Sequence, residues 1–224
     1  MLIFDADDTL WENNVLFERV IADFLDWLDH PTMEKTEIRR IFDDIQRANA
    51  VTHGYGSKMF LRSLGDCFEH LYRRPAADHE RNDIEKLASA LVHRQVELIP
   101  GVSETLSELS ERHHLVLLTK GDLEEQQRKL DASQLADHFK SVRIVAEKGV
   151  EVYREVAESS RWPLDAIWMI GNSPKSDIVP ARRAGMNAIF IPNDNTWVLE
   201  HEELDMQDNR VLRLERFTQL LDHF

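Results

Sequence analysis

The chain has 224 residues, 42 % of them apolar and 30 % charged, enough for one large domain or for a core with a smaller insert. Against 41 Asp and Glu stand 27 Lys and Arg, a formal charge of −14. A field of that sign repels nucleic-acid backbones and anionic membrane surfaces, yet it admits a small phosphorylated metabolite wherever a metal and a few local cations reverse it inside one pocket. The single cysteine, Cys67, excludes an intramolecular disulfide and a cysteine-based zinc site, and reads as a small buried residue. No secretory signal and no apolar run of about 18 residues is present, so no membrane contact and a cytoplasmic location are expected.

The apolar run Leu2-Ile3-Phe4 predicts a short buried strand that ends in acids. Residues 15–98 then show only helical spacing. Phe17, Ile21, Phe24 and Leu28 share one face, and His30-Pro31 stops that helix. Ile38, Ile41, Phe42 and Ile45 mark a second helix, Phe60, Leu64, Cys67, Phe68 and Leu71 a third, and Ile84, Leu87, Leu91 and Leu98 a fourth. Pro100-Gly101 closes this unit. Beyond it helices and apolar runs alternate: a helix near 102–112, the strand 114–119, and a helix opened by Asp122 and Glu125 as a capping box. The strand 141–145, a helix over 150–160 and the strand 166–170 follow. A short helix over 177–184, capped by Ser176, leads to strands at 187–191 and 211–214. Nearly continuous apolar strands separated by helices predict an α/β, doubly wound parallel sheet with an inserted all-helical unit. The polar, acidic stretch 193–209 reads as a surface excursion.

Ligands of such sheets bind beyond the carboxyl ends of the strands. Asp5-Ala6-Asp7-Asp8-Thr9 ends the first strand, Thr119-Lys120-Gly121-Asp122 the next, Glu147-Lys148-Gly149 follows the third, and Gly171-Asn172-Ser173-Pro174-Lys175-Ser176-Asp177 ends the fourth. One edge thus collects two close carboxylates, a hydroxyl, lysines and an Asn/Asp pair. Hard oxygen ligands beside point cations suit a Mg²⁺ site next to a phosphate site.

On these segments the chain resembles the haloacid dehalogenase-like hydrolase superfamily over nearly its whole length. Asp5 to Thr9 is similar to the nucleophile motif Asp-x-Asp-x-Thr, Thr119 to the second motif, Lys148 to the third and Gly171–Asp177 to the fourth. The helical stretch resembles the subfamily I cap, which divides the chain into a Rossmann-like core of 1–14 and 99–224 and a helical cap of 15–98. The resemblance implies a Mg²⁺-dependent phosphatase acting on a small phosphomonoester through an aspartyl-phosphate. It implies Asp5 as nucleophile, Asp7 as acid/base, and Thr119, Lys120 and Lys148 at the phosphate. As metal ligands it implies Asp5, the Asp7 main-chain carbonyl, Asn172 and Asp177.

Position 172 is Asn where the family usually has Asp, which removes one negative charge from the site. Asp8 stands where Gly is frequent, and Gly149 where Pro is common. A phosphomutase on the same scaffold and a catalytically weak phosphate-binding protein are the rival readings. A dehalogenase is disfavoured, because Asp7 serves phosphoryl chemistry. Trp11 past the nucleophile motif, and His53 and Lys58 in the segment 52–58, are candidates for substrate specificity. Hinge packing and a plain inter-helix connection are the alternative readings.

Overall fold

A computed structural model describes residues 1–92, 96–205 and 207–224, which form two compact units. One comprises Met1–Asn14 with Val96–Phe224, the other Val15–Gln95. The first is built on six parallel strands: β1 (Leu2–Phe4), β2 (Leu115–Lys120), β3 (Ser141–Val145), β4 (Trp168–Gly171), β5 (Asn187–Phe190) and β6 (Val211–Arg213). Their spatial order is β3-β2-β1-β4-β5-β6. β1 pairs with β2 through Leu2↔Leu115 and with β4 through Leu2↔Trp168. The order therefore reverses at β1, and the crevice outside the β1 and β4 ends is where such sheets bind ligands.

Side-chain alternation explains why these runs are apolar on every residue. Leu2 and Phe4, with Leu115 and Leu117, join the core under α5 (Val102–Arg112) and α6 (Leu123–Ser133). Ile3, Val116 and Leu118 join the opposite core with Tyr153 and Val156 of α7 (Val150–Ser160) and Ala181 of α8 (Val179–Ala184). Both faces of the sheet are covered, so each residue of β1 is buried.

The second unit contains α1 (Asn14–Leu28), α2 (Lys35–His53), α3 (Ser57–Tyr72) and α4 (Asp78–Val92). Phe24, Ile38, Phe42, Phe60, Leu64 and Phe68 are among the buried side chains of its own core. Cys67 lies there too, and burial pushes its thiol up to about 12. No helix among the described residues is long and apolar enough to cross a membrane.

Four local expectations are corrected. Leu98 is not helical: it forms an antiparallel bridge with Trp11 beside Glu12 N–H donating to the Glu97 carbonyl at 2.9 Å. Part of the predicted fourth helix, 93–95, lies outside the described residues. The short helix after β4 begins earlier than expected, with a π-helical turn over Pro174–Ile178 capped by the Ser173 side chain rather than by Ser176. The segment 52–58 is largely helical, leaving only 54–56 between α2 and α3. Finally, the stretch 193–209, of which Met206 lies outside the described residues, is no plain surface excursion, because Glu200 within it is buried.

Candidate active site

After Phe4 the chain takes one more ladder bond, Asp5 N–H to the Ile170 carbonyl at 2.9 Å, and then folds over itself. The N–H groups of Thr9 and Leu10 return to the Ala6 carbonyl, at 3.2 and 2.8 Å. Asp8 takes the left-handed conformation, φ 61°, that this turn demands. Glycine meets that demand freely and a short polar side chain tolerates it. The Asp8 carboxylate accepts the Asn13 and Asn14 N–H groups at 2.9 Å each, capping the first turn of α1. Burial raises its carboxyl to about 7, the Asn14 N–H works against this, and the charges of Asp7 and Asp5 add to it.

Asp5 and Asp177 converge on one ammonium. Lys148 Nζ lies 2.5 Å from Asp5 Oδ1 and 2.8 Å from Asp177 Oδ1, all three groups buried. Burial alone would lower the Lys148 pKa, but the two carboxylates outweigh it and raise it. Two carboxylates against one ammonium leave an excess negative charge. Burial, with the charge of Asp5, accordingly raises the Asp177 carboxyl despite Lys148. The other Asp177 oxygen accepts the Ser173 N–H at 2.9 Å. Gly171 is needed at the end of β4, since a Cβ there would run into the Asp177 carboxylate.

Thr9 joins the first and fourth segments. Its hydroxyl faces Asp5 Oδ2 at 3.0 Å and Asn172 Oδ1 at 3.2 Å, and accepts the Asn172 N–H at 3.1 Å. The Asn172 amide nitrogen donates to Thr196 Oγ1 at 3.0 Å, and the amide oxygen faces the Thr9 hydroxyl. The buried donors that would hold a Mg²⁺ ion are thus two carboxylates and neutral oxygens, a set that fits a hard cation which keeps several of its waters. No group of three or more His, Cys, Asp or Glu side chains placed to hold a metal occurs among the described residues, so a cation here would rest on the two carboxylates and neutral oxygens.

Asp7 points to a different set of partners. Lys129 Nζ is 2.8 Å from each of its carboxylate oxygens, Trp11 Nε1 donates to Oδ1 at 2.6 Å, and Gln126 Nε2 donates to Oδ2 at 3.1 Å. Gln126 also reaches the Thr119 hydroxyl at 2.5 Å. Trp11 is buried in the sheet's core rather than lying at an open pocket mouth. Lys120 turns to Ser176 Oγ at 2.8 Å and Glu200 Oε1 at 2.6 Å. Glu200 in turn accepts the Ser173 hydroxyl at 2.6 Å and bonds Ser176, while the Tyr153 hydroxyl donates to the Ser176 carbonyl at 2.7 Å. Burial pushes the Glu200 carboxyl up, but Lys120 and the two hydroxyls prevail and hold it below the usual carboxylate range.

The structure therefore brings Asp5, Thr119, Lys148, Asn172 and Asp177 to one sheet edge together with Asp7, and ties Lys120 to the π-turn beside them. His53 ends α2 and Lys58 lies in the first turn of α3, both exposed on the helical unit. Gln126, Lys129, Thr196 and Glu200 are additions that sequence reasoning missed. A signal existed for the first two. The helix 123–133 has only Leu123, Leu130 and Ala132 as apolar residues, too few to bury a face without polar partners.

An α/β fold with this strand order, a helical insertion after β1 and an Asp-x-Asp-x-Thr strand end define a class of hydrolase. The sequence matches the haloacid dehalogenase-like hydrolase family over residues 1–185, and the chain belongs to that family. A comparison with curated proteins gave no match. Among solved structures, a haloacid dehalogenase-like family hydrolase from Xanthomonas campestris is 25 % identical, with a TM-score of 0.85 over 99 % of this chain and 92 % of that one. The HAD-hydrolase YfnB from Bacillus subtilis, solved with magnesium bound, is 17 % identical, with a TM-score of 0.69 over 99 % and 96 %. A predicted phosphoglycolate phosphatase from Haemophilus somnus is 15 % identical, with a TM-score of 0.65 over 100 % and 96 %. 2-Haloacid dehalogenases also share the fold.

Proposed function

We propose that this hydrolase is a Mg²⁺-dependent phosphatase of a small phosphomonoester, with Asp5 as nucleophile and Asp7 as acid/base. The observation that carries the reading is the second carboxylate, Asp7, two residues beyond Asp5 and held by three donors at the same strand end. Hydrolysis of a haloacid has no leaving oxygen for such a group to protonate.

Phosphate monoesters hydrolyse so slowly that roughly 20 kcal/mol of barrier must be removed. A bond forms between an Asp5 carboxylate oxygen and phosphorus while the ester P–O bond breaks, and the leaving oxygen takes a proton from Asp7. Water then attacks the aspartyl-phosphate, Asp7 takes back a proton, and inorganic phosphate departs with Asp5 restored. Lys148 and Thr119 stabilise charge on the phosphoryl oxygens. Mg²⁺ held by Asp5, the Asp7 carbonyl, Asn172 and Asp177 would supply charge neutralisation at the phosphoryl group. The magnesium-bound relative supports this choice of metal.

The test is a panel of phosphorylated metabolites assayed for phosphate release with and without Mg²⁺, alongside 2-chloropropionate assayed for halide. Phosphate release that requires Mg²⁺ and fails in Asp5→Asn supports the reading. Halide release, or a phosphoryl group returned to another position of the same sugar, refutes it.

A further inference from the structure

We propose that Lys129 is a positioning residue of the phosphoryl-transfer reaction, acting through Asp7. The inference rests on the acid/base reading of Asp7 and extends it to a residue on another element.

Lys129 is a lysine almost wholly withdrawn from water, its side chain 6 % exposed, whereas the Asp7 side chain it meets is 23 % exposed. Burying an ammonium is costly unless it is paired and hydrogen-bonded. Here the head group is 2.8 Å from both Asp7 oxygens and 3.1 Å from Asn13 Oδ1, with Glu125 Oε1 at 3.9 Å.

The geometry goes beyond charge pairing. A carboxylate on a single Cβ has two torsions to fix. A cation equidistant from both oxygens fixes the direction in which the group points. A neutral donor on each oxygen, Trp11 on Oδ1 and Gln126 on Oδ2, fixes the twist of its plane. Gln126 and Lys129 stand three residues apart on α6 and therefore share a face. Asp122 anchors that helix at the end of β2, its side chain accepting the Glu125 N–H at 3.0 Å. Gln126 also holds Thr119, so one helical turn sets both the acid/base and the phosphate-facing hydroxyl. Two residues of the reaction, Thr119 in β2 and Asp7 in the loop after β1, are thus held by one rigid element.

A double-mutant cycle tests this. Lys129→Met keeps the stem and removes the ammonium. If it acts through Asp7, turnover of an alkyl phosphate such as glycerol 3-phosphate should fall by about 10²-fold, the scale of a small misplacement of a reacting group. The burst with 4-nitrophenyl phosphate, whose leaving group needs little protonation, should fall much less. In an Asp7→Asn background the same change should have almost no further effect, since the two residues would form one unit. Lys129→Arg, which restores the charge, should recover part of the alkyl-phosphate rate. If Lys129→Met does not fold, Lys129→Gln carries the same cycle. Equal losses on both substrates, or losses that add to those of Asp7→Asn, overturn the proposal. If Asp7→Asn itself shows no leaving-group dependence, the acid/base reading falls first, and the cycle separates that outcome from failure of Lys129 alone.

Discussion

Thr196 Oγ1 accepts the Asn172 amide at 3.0 Å while donating its only hydroxyl proton to the Asn193 carbonyl at 2.9 Å. Thr196 therefore requires a donor at position 172, which an amide provides and a carboxylate does not. The departure from the usual Asp is matched by the loop that faces it.

From this follows a prediction for Asn172→Asp. The added charge beside Asp5 and Asp177 should lower the Mg²⁺ concentration needed for activity, with kcat equal or reduced, because the same charge opposes an incoming phosphate. Without Mg²⁺ the variant should be less stable by more than about 1 kcal/mol, since Thr196 must abandon one of its two hydrogen bonds and a further carboxylate is buried beside Asp5 and Asp177. Calorimetric Mg²⁺ titration and thermal melts check both halves. An unchanged Mg²⁺ requirement would remove Asn172 from the ligand set.

For the nucleophile, Asp5→Asn should lower kcat on the order of 10⁴-fold or more while the fold persists. The amide is nearly isosteric, its oxygen can still accept from Lys148 while its NH₂ donates to the Thr9 hydroxyl, and Lys148 keeps Asp177 at 2.8 Å. Circular dichroism with a phosphate-release assay decides it, and substantial residual turnover would reassign the nucleophile.

Gly171→Ala should be disproportionately harmful for a single methyl group. The new Cβ meets the buried Asp177 carboxylate, which Lys148 and the Ser173 N–H hold in place. Overpacking of this kind costs about 1–3 kcal/mol. A lowered melting temperature together with weakened Mg²⁺ binding is expected, and a variant normal in both would show that Asp177 has room to shift.

Glu200 gives a pH dependence whose sign is fixed by its lowered carboxyl pKa. Its contribution to stability is present above the ordinary glutamate value and is lost as pH falls through the lower value of the folded state. The melting temperatures of the native protein and Glu200→Gln should differ most above about pH 5 and converge on further acidification. A gap independent of pH would contradict the ionised Lys120–Glu200 pair, 2.6 Å apart.

The fold was legible because its signals are local: Leu2-Ile3-Phe4 is apolar on every residue, and 15–98 carries only helical spacing. The candidate ligands were legible for a related reason, since each stands at the end of an apolar run. Lys129 was hidden because its meaning depends on Asp7, 122 residues away, and a lysine on a polar helix reads equally as a solvated one. Glu200 was hidden likewise, inside an acidic stretch whose composition suggests nothing but solvent, while its partners Ser173 and Ser176 lie in the preceding motif.

The place of β1 in the sheet also orders events during synthesis. β1 leaves the ribosome before both strands that flank it, and its partners Leu115 and Trp168 follow more than a hundred residues later. Contacts of such sequence separation slow folding, because the chain must close long loops before pairing rewards it. A strand made before both of its partners is thus completed among the latest. Asp5 takes the Ile170 carbonyl only when β4 is in place, so no shortened nascent chain ending before residue 170 can hold the nucleophile in its final setting.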